Sequence, residues 1–399
     1  MYESCIKIPE ILLPDVEDMT AWAVIACDQH TSDEKYWEEL DASIGEKPSS
    51  LRLILPELYL ESDCDKRCAA VFAAMRKYRA ENVFKKLPAG FVLVERSTYF
   101  SPTRFGIVLA LDLERYSYEK GNTAAIRASE ATIVERIPPR LKIREDALYE
   151  LPHIMVLYND PEDTVLKDLK ARREDLPLLY DFELNMKGGH VKGYFVRDSE
   201  KVAQKLDSLC NEDGLLFVVG DGNHSLATAK AHWDKIKADL SLEERADHPA
   251  RFALCEAVNV FDDGIRFESI NRIVKGVDAE KFVKGIGFTG GQDGALYIKG
   301  KRQALKVDDD IARAVAETDA YIDAYIRANG GKADYIHGED AVRELTEKNA
   351  DSVGIVLPKM DKGALFTQVV KYGNLPRKTF SMGESAEKRY YIEAKEITK

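Results

Sequence analysis

Asp221-Gly222-Asn223-His224-Ser225 sets an acid, a turn-forming glycine, an amide, an imidazole and a hydroxyl at consecutive positions. The run follows Leu215–Gly220, an unbroken apolar stretch of the kind found in strands covered on both faces. Behind it come Leu226, Ala229, Trp233 and Ile236, close to helical spacing. Strand, tight loop and helix start are therefore expected in that order. The first backbone N–H groups of a helix lack internal partners, and the helix dipole adds partial positive charge there. Gly220 and Gly222 let the backbone turn sharply and approach a ligand, while Asn223, His224 and Ser225 add side-chain donors. A phosphate group suits such a place. In the plainer reading, Asp221 or Asn223 merely caps the helix and His224 is a surface histidine. The density of turn, cap, donor and titratable character tips the balance toward binding.

A second segment repeats the theme. Trp22–Ala26 reads as a buried strand, Cys27-Asp28-Gln29-His30 as a loop, and Thr31 with Glu34 has capping-box spacing ahead of Tyr36, Trp37 and Leu40. Two loops that each carry an Asp and a His would meet at one sheet edge, beyond the carboxyl ends of strands. Cys27 and His30 form a single C-x-x-H pair, too little for zinc. A third group, Arg127, Glu130, Thr132, Arg136 and Arg140, falls in and after a helical stretch at about Ala124 to Glu135 that Pro138-Pro139 stops. There Arg127 and Glu130 would pair at i,i+3, and Arg140 would be free to grip phosphate through its planar fork. Arg104, in the turn Pro102–Arg104, and Lys378, after Pro376-Arg377, are further basic candidates. For both, a solvated cation is the plain alternative.

The elements that must position these residues are a helix over Lys66–Arg79 and paired strands Phe91–Arg96 and Gly106–Leu113 across Ser101-Pro102-Thr103. A strand over His153–Tyr158 follows, then a hairpin of Phe182–Met186 and Val191–Val196 about Gly188-Gly189. Past Arg272 come strands at Leu296–Lys299, Ala304–Val307 and Val353–Leu357, and a helix over about Asp310–Ala328. This pattern predicts an α/β protein with a mixed sheet. Residues 1–274 would form the main domain, 275–345 a smaller α/β lobe, and 346–399 a segment returning to the main domain.

A chain of 399 residues exceeds one typical core, and 45% hydrophobic with 32% charged residues is ordinary globular composition. The net charge of −12 argues against nucleic-acid binding, although the clusters Arg136–Arg144 and Lys170–Arg173 suit a small polyanion. Apolar runs are too short to span a bilayer, and acidic residues within Met1–Asp18 break the layout of a secretory signal. The cytoplasm is the expected compartment. Six scattered cysteines form no disulfide framework, and Cys64 with Cys68 is ordinary helix packing. Walker, kinase His-Arg-Asp, Gly-x-Ser-x-Gly and His-Glu-x-x-His motifs are missing. Gly285, Gly287 and Gly290 spell Gly-x-Gly-x-x-Gly without the strand and helix a dinucleotide site needs.

Residues 221–229 resemble the Asp-Gly-His-His-Arg-Tyr-x-Thr-Ala segment of domain-of-unknown-function family 1015 (DUF1015). Arg104–Val108, Arg127–Arg140, Phe267–Arg272 and Leu375–Thr379 are similar to that family too, in the same order. The Asp-Gly-x-His loop also resembles the phosphate loop of ParB-like and sulfiredoxin-like folds and of SerK-type free serine kinases. Asn223 and Ser225 stand where His and Arg are usual, so anion affinity would fall to backbone groups and other cations.

The resemblance implies phosphoryl transfer from pyrophosphate, ADP or ATP to a small hydroxyl, that of serine first. On this reading Gly222, Asn223 and Ser225 hold phosphate, aided by Arg140 and Arg272. Asp28, Glu34 or Asp221 takes the acceptor's proton, and His224 donates to a transferring oxygen. His30, Arg104, Glu130, Thr132 and Lys378 complete the binding candidates. Magnesium is the implied cofactor, because phosphoryl transfer rests on positioning and charge stabilisation. The partners are a phosphate-bearing small molecule and an amino acid, with no nucleic acid and no membrane. The rival functions are a non-catalytic sensor of a phosphorylated metabolite or nucleotide, and a ParB-like nucleic-acid-associated protein. Oligomeric state stays open.

Overall fold

The computed structural model describes residues 4–60 and 63–398. It divides the chain into two compact units, one of residues 1–265 with 383–399 and one of residues 266–382. The second unit thus starts before residue 275 and ends beyond 345. Strand Phe267–Lys275 pairs with Ser352–Val356, Lys332–His337 and Phe380–Met382, which holds all of these in one sheet. That sheet continues through Gln292–Ile298 to Lys301–Val307, and helix Ile311–Asn329, capped by Asp310, belongs to the same unit.

The first unit is built on a ten-stranded mixed sheet. Its order is Leu178–Leu184, Gly189–Val196, Phe91–Ser97, Arg104–Asp112, Phe252–Asn259, Met155–Tyr158, Phe217–Asp221, Ile126–Ala128 and Tyr116–Ser117, with Ile6–Lys7 on Arg104–Asp112. The protein is therefore α/β with a mixed sheet and a smaller α/β unit. The central strands are apolar because both faces are covered: Ile107 to Leu111, Val156 to Tyr158 and Phe217 to Val219 are all buried.

Two registers shape the functional edge. Phe217–Asp221 runs antiparallel to Met155–Tyr158 with Met155 opposite Asp221, so the residues just before Met155 lie beside the end of the Asp221 strand. The same strand runs parallel to Ile126–Ala128, with Val219 opposite Ala128, so the chain leaving Ala128 emerges at that edge too.

Three local expectations are corrected. Residues 124–135 are not a helix: Ile126–Ala128 is a strand, and the helix is Ile137–Glu145, with proline in its first positions. Proline lacks the N–H that a first-turn residue leaves unpaired anyway, so the Pro138-Pro139 pair opens a helix here. Arg127 accordingly gives its guanidinium to the carbonyls of Ala124 (2.9 Å) and Asp213 (2.7 Å), and makes no helical pair with Glu130. Helix Glu34–Ile44 is capped by Asp33, which accepts from the Tyr36 amide at 3.2 Å, and not by Thr31. The strand after Trp22 is only Val24–Ile25, and it pairs with Tyr390–Tyr391 outside the large sheet.

Among the described residues, no helix is long and apolar enough to cross a membrane.

Candidate functional site

Helix Asn223–Ile236 starts directly after Asp221-Gly222. Gly222 holds the N-cap position at φ +79°, and no side chain caps the helix. A Cβ at 222 would stand 3.1 Å from the Ile154 Cα. Gly222→Ala is expected to cost about 1–2 kcal/mol for the left-handed conformation. It should also weaken anion binding, read by thermal melting and by a pyrophosphate titration of the same variant. Asp221 accepts from the Gly222 amide at 3.0 Å and faces the Lys388 ammonium at 3.4 Å.

The segment Ser129–Ile133 drapes over the first helical turn. Asn223 donates through Nδ2 to Ser129 Oγ at 3.2 Å, and the Ile133 amide donates to His224 Nε2 at 3.4 Å. That contact makes Nε2 of His224 an acceptor. Asn223 is 8% exposed, yet its Oδ1 has no hydrogen-bond partner among the described residues. Thr132 Oγ1, on the covering segment, is also buried without a partner. A buried polar atom without a partner costs free energy, so Asn223 Oδ1 and Thr132 Oγ1 can each still take a polar partner such as water or a ligand.

The Cys27–His30 loop reaches the same edge through His153, a residue read from the sequence only as the start of a strand. His153 Nε2 lies 2.8 Å from Ser225 Oγ and 3.8 Å from Asp28 Oδ2. Its Nδ1 lies 2.8 Å from the Tyr391 hydroxyl, which also accepts from the Cys27 amide at 3.1 Å. Asp28 thus joins Ser225 through one imidazole, although Val24–Ile25 lies outside the large sheet. Burial would raise the Asp28 pKa, but His153, the Gln29 amide and Lys388 outweigh it and hold it below its ordinary value. Burial and the neighbouring Asp28 charge push the Cys27 thiol up to about 12, so it stays protonated and is no nucleophile. Cys27, His153, Ser225 and Tyr391 also line a cavity of about 150 Å³, with Leu55, Met75 and Ile143 among its apolar walls.

Of the other candidates, Arg104, Arg272 and His30 are engaged elsewhere. Arg140 donates to Glu57 from Nε at 3.1 Å, in the wall of that cavity. Arg104 does not sit in a turn: it opens strand Arg104–Asp112, is 7% exposed, and pairs with Glu256 at 3.3 Å. Arg272, 1% exposed, grips Asp319 in the second unit at 2.8 and 3.0 Å. It also donates to the carbonyl of Lys378, whose own side chain is exposed. His30 stacks on Tyr36 with ring centroids 3.7 Å apart and lies 3.7 Å from Asp33. Glu34 is exposed at its helix start, and Glu130 belongs to the stretch between Ala128 and Thr132 that covers the loop. The residues the sequence did not single out are His153, Lys388 and Tyr391.

Among solved structures, the chain is similar to a conserved hypothetical protein from Pyrococcus furiosus, at 11% identity and a TM-score of 0.37 over 73% of this chain and 95% of that one. A free serine kinase variant in complex with ADP gives 11% identity and 0.39 over 76% and 95%. The free serine kinase in complex with AMP gives 12% and 0.39 over the same shares. No curated protein matches the chain. The family model described as protein of unknown function (DUF1015) matches residues 12–325, and the chain belongs to that family.

Proposed function

We propose that this protein is a small-molecule phosphotransferase. It would take a phosphoanhydride donor such as pyrophosphate, ADP or ATP at the helix start Asn223–Ser225 and pass a phosphoryl group to a small hydroxyl, free serine being the first acceptor to test. The observation that carries this reading is the helix start without a side-chain cap, beside which Asn223 Oδ1 and Thr132 Oγ1 are buried without partners. Oriented amides and the dipole favour an oxyanion there. Lys388, facing Asp221, adds a cation at the same edge.

Asp28, held ionised by its neighbours, would accept the acceptor's proton, and His153 would carry charge between Asp28 and Ser225. His224 would orient the loop through Ile133. Magnesium is a separate matter. Among the described residues no three His, Cys, Asp or Glu side chains gather to hold a metal, and Asp221 and Asp28 already face Lys388 and His153. That donor set does not fit an ion held by protein side chains alone.

The test is phosphorus NMR on the full chain with free serine, magnesium in the buffer, and pyrophosphate, ADP or ATP in separate tubes. O-phosphoserine in any tube is the expected result. Donor binding without turnover in all three would make the protein a sensor and overturn the proposal.

A further inference from the structure

Resting on that reading and taking it further, we infer that Ser225 is the first acceptor of the phosphoryl group, so that transfer passes through a phosphoserine on the protein itself. Ser225 belongs to the first turn of the helix whose start would hold the donor's phosphates. Its Oγ lies 2.8 Å from His153 Nε2, the separation of a nucleophile and its general base. His153 is itself oriented by a third group, the Tyr391 hydroxyl at 2.8 Å from Nδ1, and 6% exposure shelters it from water. The tautomer with its proton on Nδ1, donating to the Tyr391 oxygen, leaves the Nε2 lone pair facing Ser225. Asp28 Oδ2, 3.8 Å from the same Nε2, is placed to stabilise the imidazolium that forms.

The chemistry balances without another reagent. In the first half, the Ser225 O–H bond breaks and its proton goes to His153 Nε2. The Oγ–P bond forms, and the P–O bond to the donor's leaving phosphate breaks with its electron pair on that oxygen. In the second half, the acceptor hydroxyl attacks phosphorus and loses its proton to Asp28. The Oγ–P bond breaks, and His153 returns its proton to Ser225. One phosphoryl group moves, one proton is released to water by Asp28, and the protein is restored.

The experiment uses the full chain with each of pyrophosphate, ADP and ATP, labelled in the transferable phosphoryl group and supplied without acceptor. The expected result is protein-bound label, stable to acid and lost in alkali, with the mass gain of one phosphoryl group on the peptide that carries Ser225. Adding free serine should discharge it. Ser225→Ala should stay folded, still bind donor, carry no label, and lose roughly 1,000-fold or more in turnover, the scale of losing a covalent nucleophile. O-phosphoserine formed with no labelled protein, or by Ser225→Ala within about tenfold of the normal rate, would overturn the inference and leave direct transfer standing. Label on another residue would overturn it too. Neither label nor product would remove both this step and the phosphotransferase reading.

Discussion

His153→Ala should lower turnover by roughly 100- to 10,000-fold, the range general acid–base groups supply, while donor affinity changes little. The reason lies in what the imidazole touches. It joins Ser225 at 2.8 Å, Tyr391 at 2.8 Å and Asp28 at 3.8 Å, so it links the two loops and the C-terminal segment. On the proposed function, donor affinity would rest on other groups, the first-turn amides and Lys388, which the substitution leaves in place. The outcome is therefore a fall in kcat without a matching rise in KM. His153→Gln, which keeps a polar atom but cannot carry a proton at neutral pH, should fall almost as far. A purely structural role would instead lower the melting temperature of both variants and recover turnover in the glutamine one. Either variant turning over within about threefold of normal would take His153 out of the reaction.

How much of this was legible beforehand follows from how local each feature is. Strand Phe217–Asp221 and helix Asn223–Ile236 show in the sequence because an apolar run, a glycine and a helical period lie side by side. The hairpin about Gly188-Gly189 shows through its glycine turn, although its first strand is Leu178–Leu184 and not Phe182–Met186. His153 does not, since its place depends on the antiparallel register of Met155 with Asp221, and a histidine ahead of an apolar run carries no mark of that pairing. Tyr391 and Lys388 arrive from the far end of the chain, where Tyr390–Tyr391 pairs with Val24–Ile25. The one available signal was the Tyr390-Tyr391-Ile392 run, apolar enough to be an interior strand. Arg104 and Arg272 looked like ligand cations because charge suggests solvent. Only the fold reveals that each is buried against a carboxylate.

Glu256→Ala is expected to destabilise the first unit by about 3–5 kcal/mol, enough to threaten folding at ordinary temperature. Glu256 is 1% exposed and lies between guanidinium groups, with Arg104 at 3.3 Å and Arg389 closer still. Arg389 also donates to Glu393 at 2.6 Å, and Arg96, itself 4% exposed, adds a third buried cation. Removing Glu256 leaves these cations short of a counter-charge in a place water does not reach. A Cβ at Gly106 would stand 2.3 Å from the Glu256 carboxylate, so Gly106→Ala should disturb the same network by displacement. The pH dependence follows in sign. Burial would raise the Glu256 pKa, but Arg104, Arg389 and Arg96 overcome it and leave it below the ordinary carboxylate value. Its contribution is therefore complete above the unfolded value, about 4.3, and fades as pH falls through the lower folded one. Denaturant melts from neutral pH into that acid range should show the unaltered protein losing more stability than Glu256→Gln, which has no proton to take up at this position. Lys388 and Tyr391 flank Arg389 in the chain, so a loosened network should also blunt turnover in whatever folded Glu256→Gln survives. Equal acid sensitivity of the two proteins would mean that the Glu256 charge does not hold this end of the chain in place.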